Sequence, residues 1–511
     1  MRVKRLFTAI VATLALMPLQ MLAQDAENEA DLMQEKKTLI LQGFTDVSDE
    51  EFAKNARKMM DAQGAGMVTL LDFYRQAQDA EEKAVFEHTI VEIAKYVGGG
   101  GRMKDKTTLR TVLSEYIDSH DDYPTNCFVA SLFSYFIANN DVEYLWKYTE
   151  DPRYADAMIR ILAQVPSFAN SIDKGLKKNK GNLNPKGAYA YAIGKLGMKD
   201  KEDVLISWIK KADVPAKIDI YNALLVVGSE KSKPVVEKGA KKLYKNKNPE
   251  VKIAGMRLLA TIKGSESMPY LYKSLKNKNQ NVRREALTLM IPYSDDAVRA
   301  LVVKKYAKKE VLPDVVEWLG NLHDKSQLAF VEQQLSSDNR EAVEAAIWAV
   351  TKINDENAMK KLVPLLDGDY AEVAKKALME CNGSIVPVLI DATRGNDRQK
   401  LAALAIVGEK HMKLLFNRVA ELLENGSPEV RDAAYATLKD VTTVSNGEYL
   451  INLLQTCDTK RVTDVQDAII AAYANAKVEQ KYIFKSRLKY VSDDIRPRFD
   501  KVLESMGLNW D

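Results

Sequence analysis

Apolar and polar positions recur along this chain in a pattern that repeats about every thirty residues. Each copy has a polar turn, then Val, a small residue four positions later, and a bulky apolar pair. Apolar side chains therefore occur at i, i+4 and i+7 or i+8, which is one face of a helix. We expect the small residue where a neighbouring backbone comes close. The pattern is clearest at Asn248–Leu259, Asn279–Met290 and Ser427–Leu438.

The copies align on one branched apolar residue, at intervals of 28 to 35 residues. Such an interval holds two helices of about a dozen residues and two short turns. The aligned residues, after a weaker first member at Ala188, are Ile218, Val251, Val282, Val315, Val343, Val373, Leu401, Val430 and Val465. A proline recurs in the other half of several copies, where it either occupies the first turn of a helix or bends it. These prolines are Pro234, Pro269, Pro364 and Pro387.

The copies resemble short HEAT repeats, whose second helix carries an Asp/Asn-x-x-Val-Arg-x-x-Ala-x-x-x-Leu signature. Val282-Arg283 and Val430-Arg431 match best, whereas other copies replace the arginine by Lys252, Glu344 and Ala374. The resemblance covers about residues 180–475. It implies an all-α fold, a right-handed α-solenoid of stacked antiparallel helix pairs, which generally serves as a non-catalytic binding surface.

The segments outside the regular copies complete the predicted organisation. Residues 1–23 are predicted as a signal peptide, 24–60 as a polar lead-in whose first part is frayed, and 61–180 as an irregular helical cap. Regular repeats follow over 181–480, and a helical cap over 481–511. Helices are expected at Ala84–Val97, Phe128–Ala138 and Ala155–Val165, and strand signals are nearly absent.

The N-terminus has the pattern of an export signal. Arg2, Lys4 and Arg5 precede the apolar run 6–16, and a break at Pro18 leads to cleavage after Ala23. The apolar run is shorter than the ~20 residues that span a bilayer, and no later run is long enough. We therefore expect an exported protein, periplasmic or secreted, with no transmembrane span in the mature chain.

Candidate catalytic and metal-binding groups are scattered along the chain. His88, His120, His323 and His411 have no metal-ligand spacing, and His120-Asp121-Asp122 is typical of a helix end before a turn. The acid pairs Asp295-Asp296 and Asp493-Asp494 precede helical segments and are expected to cap them. The sequence predicts no catalytic site, no cofactor and no metal.

Three cysteines are far apart, and an exported chain stabilised by disulfides would contain more. Cys127, Cys381 and Cys457 are therefore expected to be small buried residues on helix faces. The glycine run Gly98–Gly101 is expected to be a loop between helices, because a helical segment precedes it where a phosphate-binding loop would need a strand.

Charge is the strongest functional signal. Residues 174–309 contain 27 Lys and 4 Arg against 12 Asp and Glu, a net charge of +19, whereas the whole chain has +3. Two lysine-rich turns occupy the same place in consecutive copies, which predicts a ladder of positive charge on one edge. The candidate partner-binding residues are Lys245, Lys247, Lys276, Lys278, Arg283 and Arg284.

These features predict an exported, non-catalytic scaffold that binds a protein partner along its solenoid surface, on the concave face lined by the Val-headed helices. If that partner is acidic, the basic edge is expected to meet it. Binding of an anionic envelope polymer or surface by residues 174–309 is the alternative, and an enzyme with an unrecognised site is a third. Nucleic acid is not expected, because lysine dominates over arginine and no stacking aromatic residues accompany the lysines. Lysines that only keep the array soluble would give the same pattern.

Overall fold

The structure, a computed structural model, describes residues 26–45 and 47–510. Every regular element within these residues is a helix, and no strand occurs among them. The chain divides into two units between Ile262 and Lys263. The predicted all-α fold is confirmed, while the predicted signal peptide lies outside the described residues.

Unit 1 contains helices α1 to α14, the last of which ends at the unit boundary. They are α1 Ala26–Gln42, α2 Asp49–Met60, α3 Ala65–Gln76, α4 Ala80–Gly98, α5 Met103–Ser119, α6 Tyr123–Leu132, α7 Asp141–Glu150, α8 Ala155–Leu162, α9 Phe168–Lys178, α10 Lys186–Lys195, α11 Glu202–Trp208, α12 Val214–Val227, α13 Lys233–Tyr244 and α14 Pro249–Lys263. Short 3-10 turns lie at Ala62–Gly64, Phe133–Tyr135, Lys199–Lys201 and Ile209–Lys211.

Unit 2 contains helices α15 to α30. They are α15 Met268–Ser274, α16 Gln280–Met290, α17 Asp296–Tyr306, α18 Leu312–Asn321, α19 Leu328–Gln334, α20 Arg340–Ile353, α21 Glu356–Lys360, α22 Ala371–Glu380, α23 Val386–Ala392, α24 Asp397–Glu409, α25 Phe416–Asn425, α26 Pro428–Val441, α27 Gly447–Thr456, α28 Val462–Tyr473, α29 Val478–Arg487 and α30 Asp500–Met506. Short 3-10 turns lie at Gly264–Ser267, Ile291–Tyr293, Lys309–Val311, Pro364–Leu366, Lys413–Leu415, Val444–Asn446, Thr459–Arg461, Leu488–Tyr490 and Arg496–Phe499.

Stacked helix pairs build both units. Every aligned branched residue lies inside a helix, from Ile218 in α12 to Val465 in α28. Several of these helices pack on the next helix of their own kind within one unit, as α10 does on α12, α18 on α20, and α26 on α28. The HEAT-like arrangement is thereby confirmed within each unit, and its right-handed sense stays a prediction.

Small residues allow these like helices to approach closely. A Cβ atom added to Gly194 would lie 3.0 Å from the Cα of Ala223, and one added to Gly320 would lie 2.6 Å from the Cα of Ala349. At Gly320 only a hydrogen atom fits, and at Gly194 a Cβ atom would require the neighbouring helix to shift slightly. The expectation of small residues at close backbone contacts therefore holds for both units.

The recurring prolines begin helices rather than bend them. Pro234, Pro269 and Pro387 occupy the first turn of α13, α15 and α23. Pro364 begins a 3-10 turn. A proline has no amide hydrogen to donate, and the first turn of a helix does not require one.

The N-terminal region differs from the expectation in two places. The frayed start is wrong for the described residues, because α1 is helical from Ala26 and buries Ile40, while Lys37 pairs with Glu82 at 2.7 Å. The helix expected at Phe128–Ala138 ends at Leu132 and continues as a 3-10 turn. The unit boundary falls inside the predicted 181–480 segment, and the remaining domain divisions stay predictions.

The three cysteines are free, as expected. Cys381 and Cys457 are buried but lie at the ends of their helices, and Cys127 is half-buried within α6. The expected position on a helix face is therefore wrong for the first two, which are the C-cap residues of their helices.

Candidate partner-binding surface

The unit 1 basic turn, residues 245–248, joins α13 to α14. The Asn246 side chain accepts a hydrogen bond from the amide of Asn248 at 2.9 Å, and the Asn248 side chain accepts one from the amide of Glu250 at 2.9 Å. The first bond closes the turn and the second caps α14. Lys245 and Lys247 flank Asn246, are exposed, and form no ion pair with any described residue.

The unit 2 basic turn, residues 276–279, repeats this geometry between α15 and α16. Asn277 accepts from the amide of Asn279 at 2.9 Å, and Asn279 accepts from the amide of Val282 at 3.2 Å. Lys276 and Lys278 are exposed. Whether the two turns share one edge, as the ladder requires, stays a prediction.

A third turn, which lies in unit 2, has the same hydrogen bonds but no lysine. At residues 336–339 the Ser337 hydroxyl accepts from the amide of Asn339 at 3.2 Å, and Asn339 accepts from the amide of Ala342 at 3.2 Å. Burial along residues 331–340 follows that along 271–280 position by position. Ser336 and Asp338 replace the two lysines. The turn therefore does not need lysine in order to form.

Two further lysines, which are not among the candidates predicted from the sequence, extend the basic turns. Lys242 and Lys273 lie three residues before Lys245 and Lys276, and both are exposed. Residues three apart on a helix share a face. This spacing, counted backwards from each turn, would have identified them.

A surface cavity of about 430 Å³ lies beside the unit 1 basic turn. It is lined by Pro234, Glu237, Lys238, Lys241, Lys242 and Lys245. Glu237 pairs with Lys241 at 2.7 Å, so one acid is present among the lysines. The basic surface of unit 1 thus continues from the turn along α13.

Arg283 differs from the lysines because its side chain is only 4% exposed. Its guanidinium donates to Asp314 at 2.6 Å and to the carbonyls of Asn277, Lys278 and Glu310 at 3.1, 3.0 and 2.9 Å. These bonds hold the unit 2 basic turn against α18. Arg283 therefore positions the turn and is not accessible to a partner.

Arg284 is intermediate between the exposed lysines and the buried Arg283. It is half exposed, and it donates to Asp314 at 3.2 Å and to Glu317 at 2.9 Å. Asp314 is fully buried and accepts from Gln280 as well, at 3.1 Å. Because Arg284 already has two acidic partners, it contributes less free positive charge than the lysines.

The histidine and acid groups have structural partners. His120 ends α5, stacks on Tyr116 with ring centroids 4.1 Å apart, and lies 4.0 Å from Asp72. Burial and the charge of Asp72 raise the pKa of Tyr116, whose hydroxyl donates to that carboxylate at 3.0 Å. Asp122 caps α6. This group is a helix end, as expected.

The two acid pairs differ from each other. Asp295 caps α17 by accepting from the amide of Val298 at 2.8 Å, as expected. Asp493 instead pairs with Arg496 at 2.8 Å.

Within the described residues no group of three or more His, Cys, Asp or Glu could hold a metal ion. None of the helices described is long and apolar enough to cross a bilayer.

The fold and the repeated capped turn define an all-α protein of stacked HEAT-like helix pairs. No family model matches the chain, and no curated protein sequence matches it.

Several solved structures of helical proteins show a low similarity to this chain. A Kap121p mutant is 13% identical, with 93% of this chain and 56% of that one covered and a TM-score of 0.33. UNC-45 from Drosophila melanogaster is 10% identical, with 98% and 90% covered and a TM-score of 0.35. UNC-45 from C. elegans is 13% identical, with 99% and 70% covered and a TM-score of 0.38. The chain spans little more than half of Kap121p. Structural similarity this low gives no information on what the chain binds.

Proposed function

We propose that this protein is an exported, non-catalytic scaffold that binds an acidic protein partner through its basic turns. Export rests on the charged start, short apolar run and Ala23 of the N-terminal sequence. Binding rests on Lys242, Lys245 and Lys247 in unit 1 and on their equivalents Lys273, Lys276 and Lys278 in unit 2.

One observation carries the binding proposal. Three exposed positions in the unit 2 basic turn and α15 are lysine, while the equivalent exposed positions in the later turn are Gln333, Ser336 and Asp338. The backbone and burial are the same, so folding does not account for the lysines. A charge that folding does not require is available for a partner.

The chemistry favours a protein partner over a polymer read by its phosphates. Lysine is a compact point charge, whereas bidentate recognition of phosphate uses arginine. Arg283 makes only internal bonds and Arg284 is shared between two acids. Rim lysines act mainly on the rate of encounter with a complementary surface.

The experiment transfers one natural turn onto another. Lys273→Gln/Lys276→Ser/Lys278→Asp gives α15 and the unit 2 basic turn the side chains of positions 333, 336 and 338. Since those side chains already occupy the equivalent turn at residues 336–339, helix content and thermal unfolding should not change. Association with immobilised polyglutamate at low salt should slow on the order of tenfold.

A matched control changes the charge by the same amount elsewhere in unit 2. Lys304→Gln/Lys305→Ser/Lys308→Asp alters exposed lysines in and just after α17. This control should associate almost as fast as the wild type. Equal slowing in both variants would mean that only net charge matters, which contradicts a defined surface.

Capture from envelope extract at low and high salt then separates the alternatives. An acidic protein retained by the wild type and control, but not by the turn variant, supports the proposal. Retention of an anionic polysaccharide with a steep loss in salt would favour the polymer instead. Unchanged capture by the turn variant would mean that these lysines only keep the protein soluble.

A further inference from the structure

Exposed apolar side chains are concentrated at α29 and the turn that follows it. Among the described residues fourteen large hydrophobic side chains are exposed, and four of them lie within residues 478–490. Val478 is 65% exposed, Tyr482 57%, Ile483 55% and Tyr490 92%. Single exposed apolar residues are ordinary in soluble proteins, but a cluster on one element requires an explanation.

The cluster is not an incomplete core, because α29 already buries its other face. Phe484 is fully buried against Tyr473, with ring centroids 5.0 Å apart, and Leu488 is 1% exposed. At about 100° of rotation per residue, Tyr482 lies roughly 160° around the helix from Phe484. Tyr482 therefore points away from the protein.

Basic residues surround the cluster. Residues 477–490 contain five of them against the single acid Glu479, namely Lys477, Lys481, Lys485, Arg487 and Lys489. Arg487 approaches Glu448 at 3.6 Å, whereas Lys481 and Lys489 form no ion pair in the described part of the chain. The next acid along the chain, Asp493, is paired with Arg496, and Asp494 is exposed.

The order of residues around α29 is that of an interfacial helix. By the same rotation, Lys481 and Lys485 lie on one flank between the buried face and the exposed apolar face, and Arg487 lies on the other. Their long side chains can extend along the helix toward anionic groups while the apolar side chains enter the medium beyond. Glu479 is the one acidic residue on the exposed face.

We infer that α29 and the Leu488–Tyr490 turn dock on an anionic lipid surface. Tyrosine rings partition into the headgroup region of a bilayer, and lysines are attracted to its negative charge. Nothing encloses Tyr490, which projects from the protein. A bilayer accommodates projecting side chains without a matched pocket, which a protein partner would have to supply for each one. The inference uses none of the basic-turn residues and is independent of the proposed partner binding.

Flotation with lipid vesicles tests the inference on the mature full chain. The wild type should float with vesicles of phosphatidylcholine and phosphatidylglycerol, but not with phosphatidylcholine alone. Tyr482→Ser/Ile483→Ser should weaken the binding roughly tenfold or more, because two apolar side chains no longer leave water. Lys481→Gln/Lys489→Gln should also weaken it and flatten its dependence on salt.

Two controls make the result specific. Leu414→Ser removes an apolar side chain that is 87% exposed elsewhere in unit 2 and should leave flotation unchanged. The basic-turn variant Lys273→Gln/Lys276→Ser/Lys278→Asp should also float like the wild type, which separates this inference from the proposed function.

Several results would overturn the inference. They are no flotation with anionic vesicles, equal binding to phosphatidylcholine, binding retained by both α29 variants, or binding lost in either control. Concentration-dependent self-association that Tyr482→Ser/Ile483→Ser abolishes, without flotation, would assign the face to a second copy of the chain instead.

Discussion

Arg283 and Asp314 form a buried ion pair in which nearly every hydrogen-bonding group has a partner. Asp314 accepts from three side chains, and Arg283 also bonds to three backbone carbonyls. A buried charge is tolerated only when it is paired and hydrogen-bonded, so the two residues depend on each other. In the preceding copy Lys252 bonds a different carbonyl, donating to that of Tyr244 at 2.5 Å.

Removing one partner of this pair should destabilise unit 2 strongly. Asp314→Ala leaves the Arg283 charge buried and unpaired, which we expect to lower the free energy of unfolding by about 3–5 kcal/mol. The apolar double variant Arg283→Met/Asp314→Leu should lose much less. Urea unfolding measures both. Arg431→Met is the control, because Arg431 is exposed and should change stability by less than about 0.5 kcal/mol.

Gly320 should not tolerate even one added carbon. In Gly320→Ala the new Cβ would lie 2.6 Å from the Cα and 2.8 Å from the Cβ of Ala349, so α18 and α20 must separate at a cost of about 1–3 kcal/mol. Gly408→Ala is a matched control in the last turn of α24, where the nearest atom is 3.5 Å away. It should be neutral or slightly stabilising. Equal thermal shifts for both variants would contradict the close approach.

The Tyr449 phenol should make stability fall at alkaline pH. Burial first, then the charges of Glu424 and Tyr435, raise its pKa from 10.0 to about 12. Between these values the unfolded chain loses the phenol proton while the folded chain keeps it, so the free energy of unfolding decreases as pH rises. Urea midpoints across this range should fall less in Tyr449→Phe. Parallel curves for the two proteins would refute the assignment.

At the scale of the element, the capped turn is the unit that repeats. An Asn or Ser accepts from an amide of the first helical turn before α16, α20, α24 and α26, at 3.2, 3.2, 3.1 and 3.4 Å. The side chain supplies an acceptor that the helix itself cannot. Because the cap sets the backbone, the exposed positions between caps can vary from lysine to aspartate.

Loss of one cap should destabilise the protein only near the helix that it caps. Asn339→Ala removes the acceptor for the Ala342 amide, which we expect to cost about 1 kcal/mol, whereas Asn339→Ser should restore most of it because Ser427 serves before α26. Hydrogen exchange should rise first at the start of α20. Uniform loss of protection across unit 2 would show that the turn is not a local unit.

At the scale of the whole molecule, charge is separated along the chain. Residues 174–309 carry +19 while the complete sequence carries +3. Such separation creates a strong local field without a high net charge. The α29 segment is a second basic region, and it differs from the first because apolar side chains accompany the lysines.

Export predicts a defined mature chain. Protein purified from its native source should begin at Gln24, since cleavage is expected after Ala23. Intact mass measures this directly. A mass that includes residues 1–23 would refute the predicted cleavage and leave the apolar run uncut.

Periodicity in the sequence was sufficient to determine the helix pairs, the core positions and the polar caps, because each depends on spacing within about a dozen residues. It could not distinguish Arg283 from Arg431, which share the Val-Arg motif. Arg283 is buried because Asp314 of α18 meets it, whereas Asp464, at the corresponding place before Val465, pairs with Arg461. Likewise only packing showed that Phe484 fills the inner face of α29 and leaves Tyr482 exposed. Partners far apart in sequence decide these outcomes, because burial depends on which side chain the neighbouring helix brings into contact.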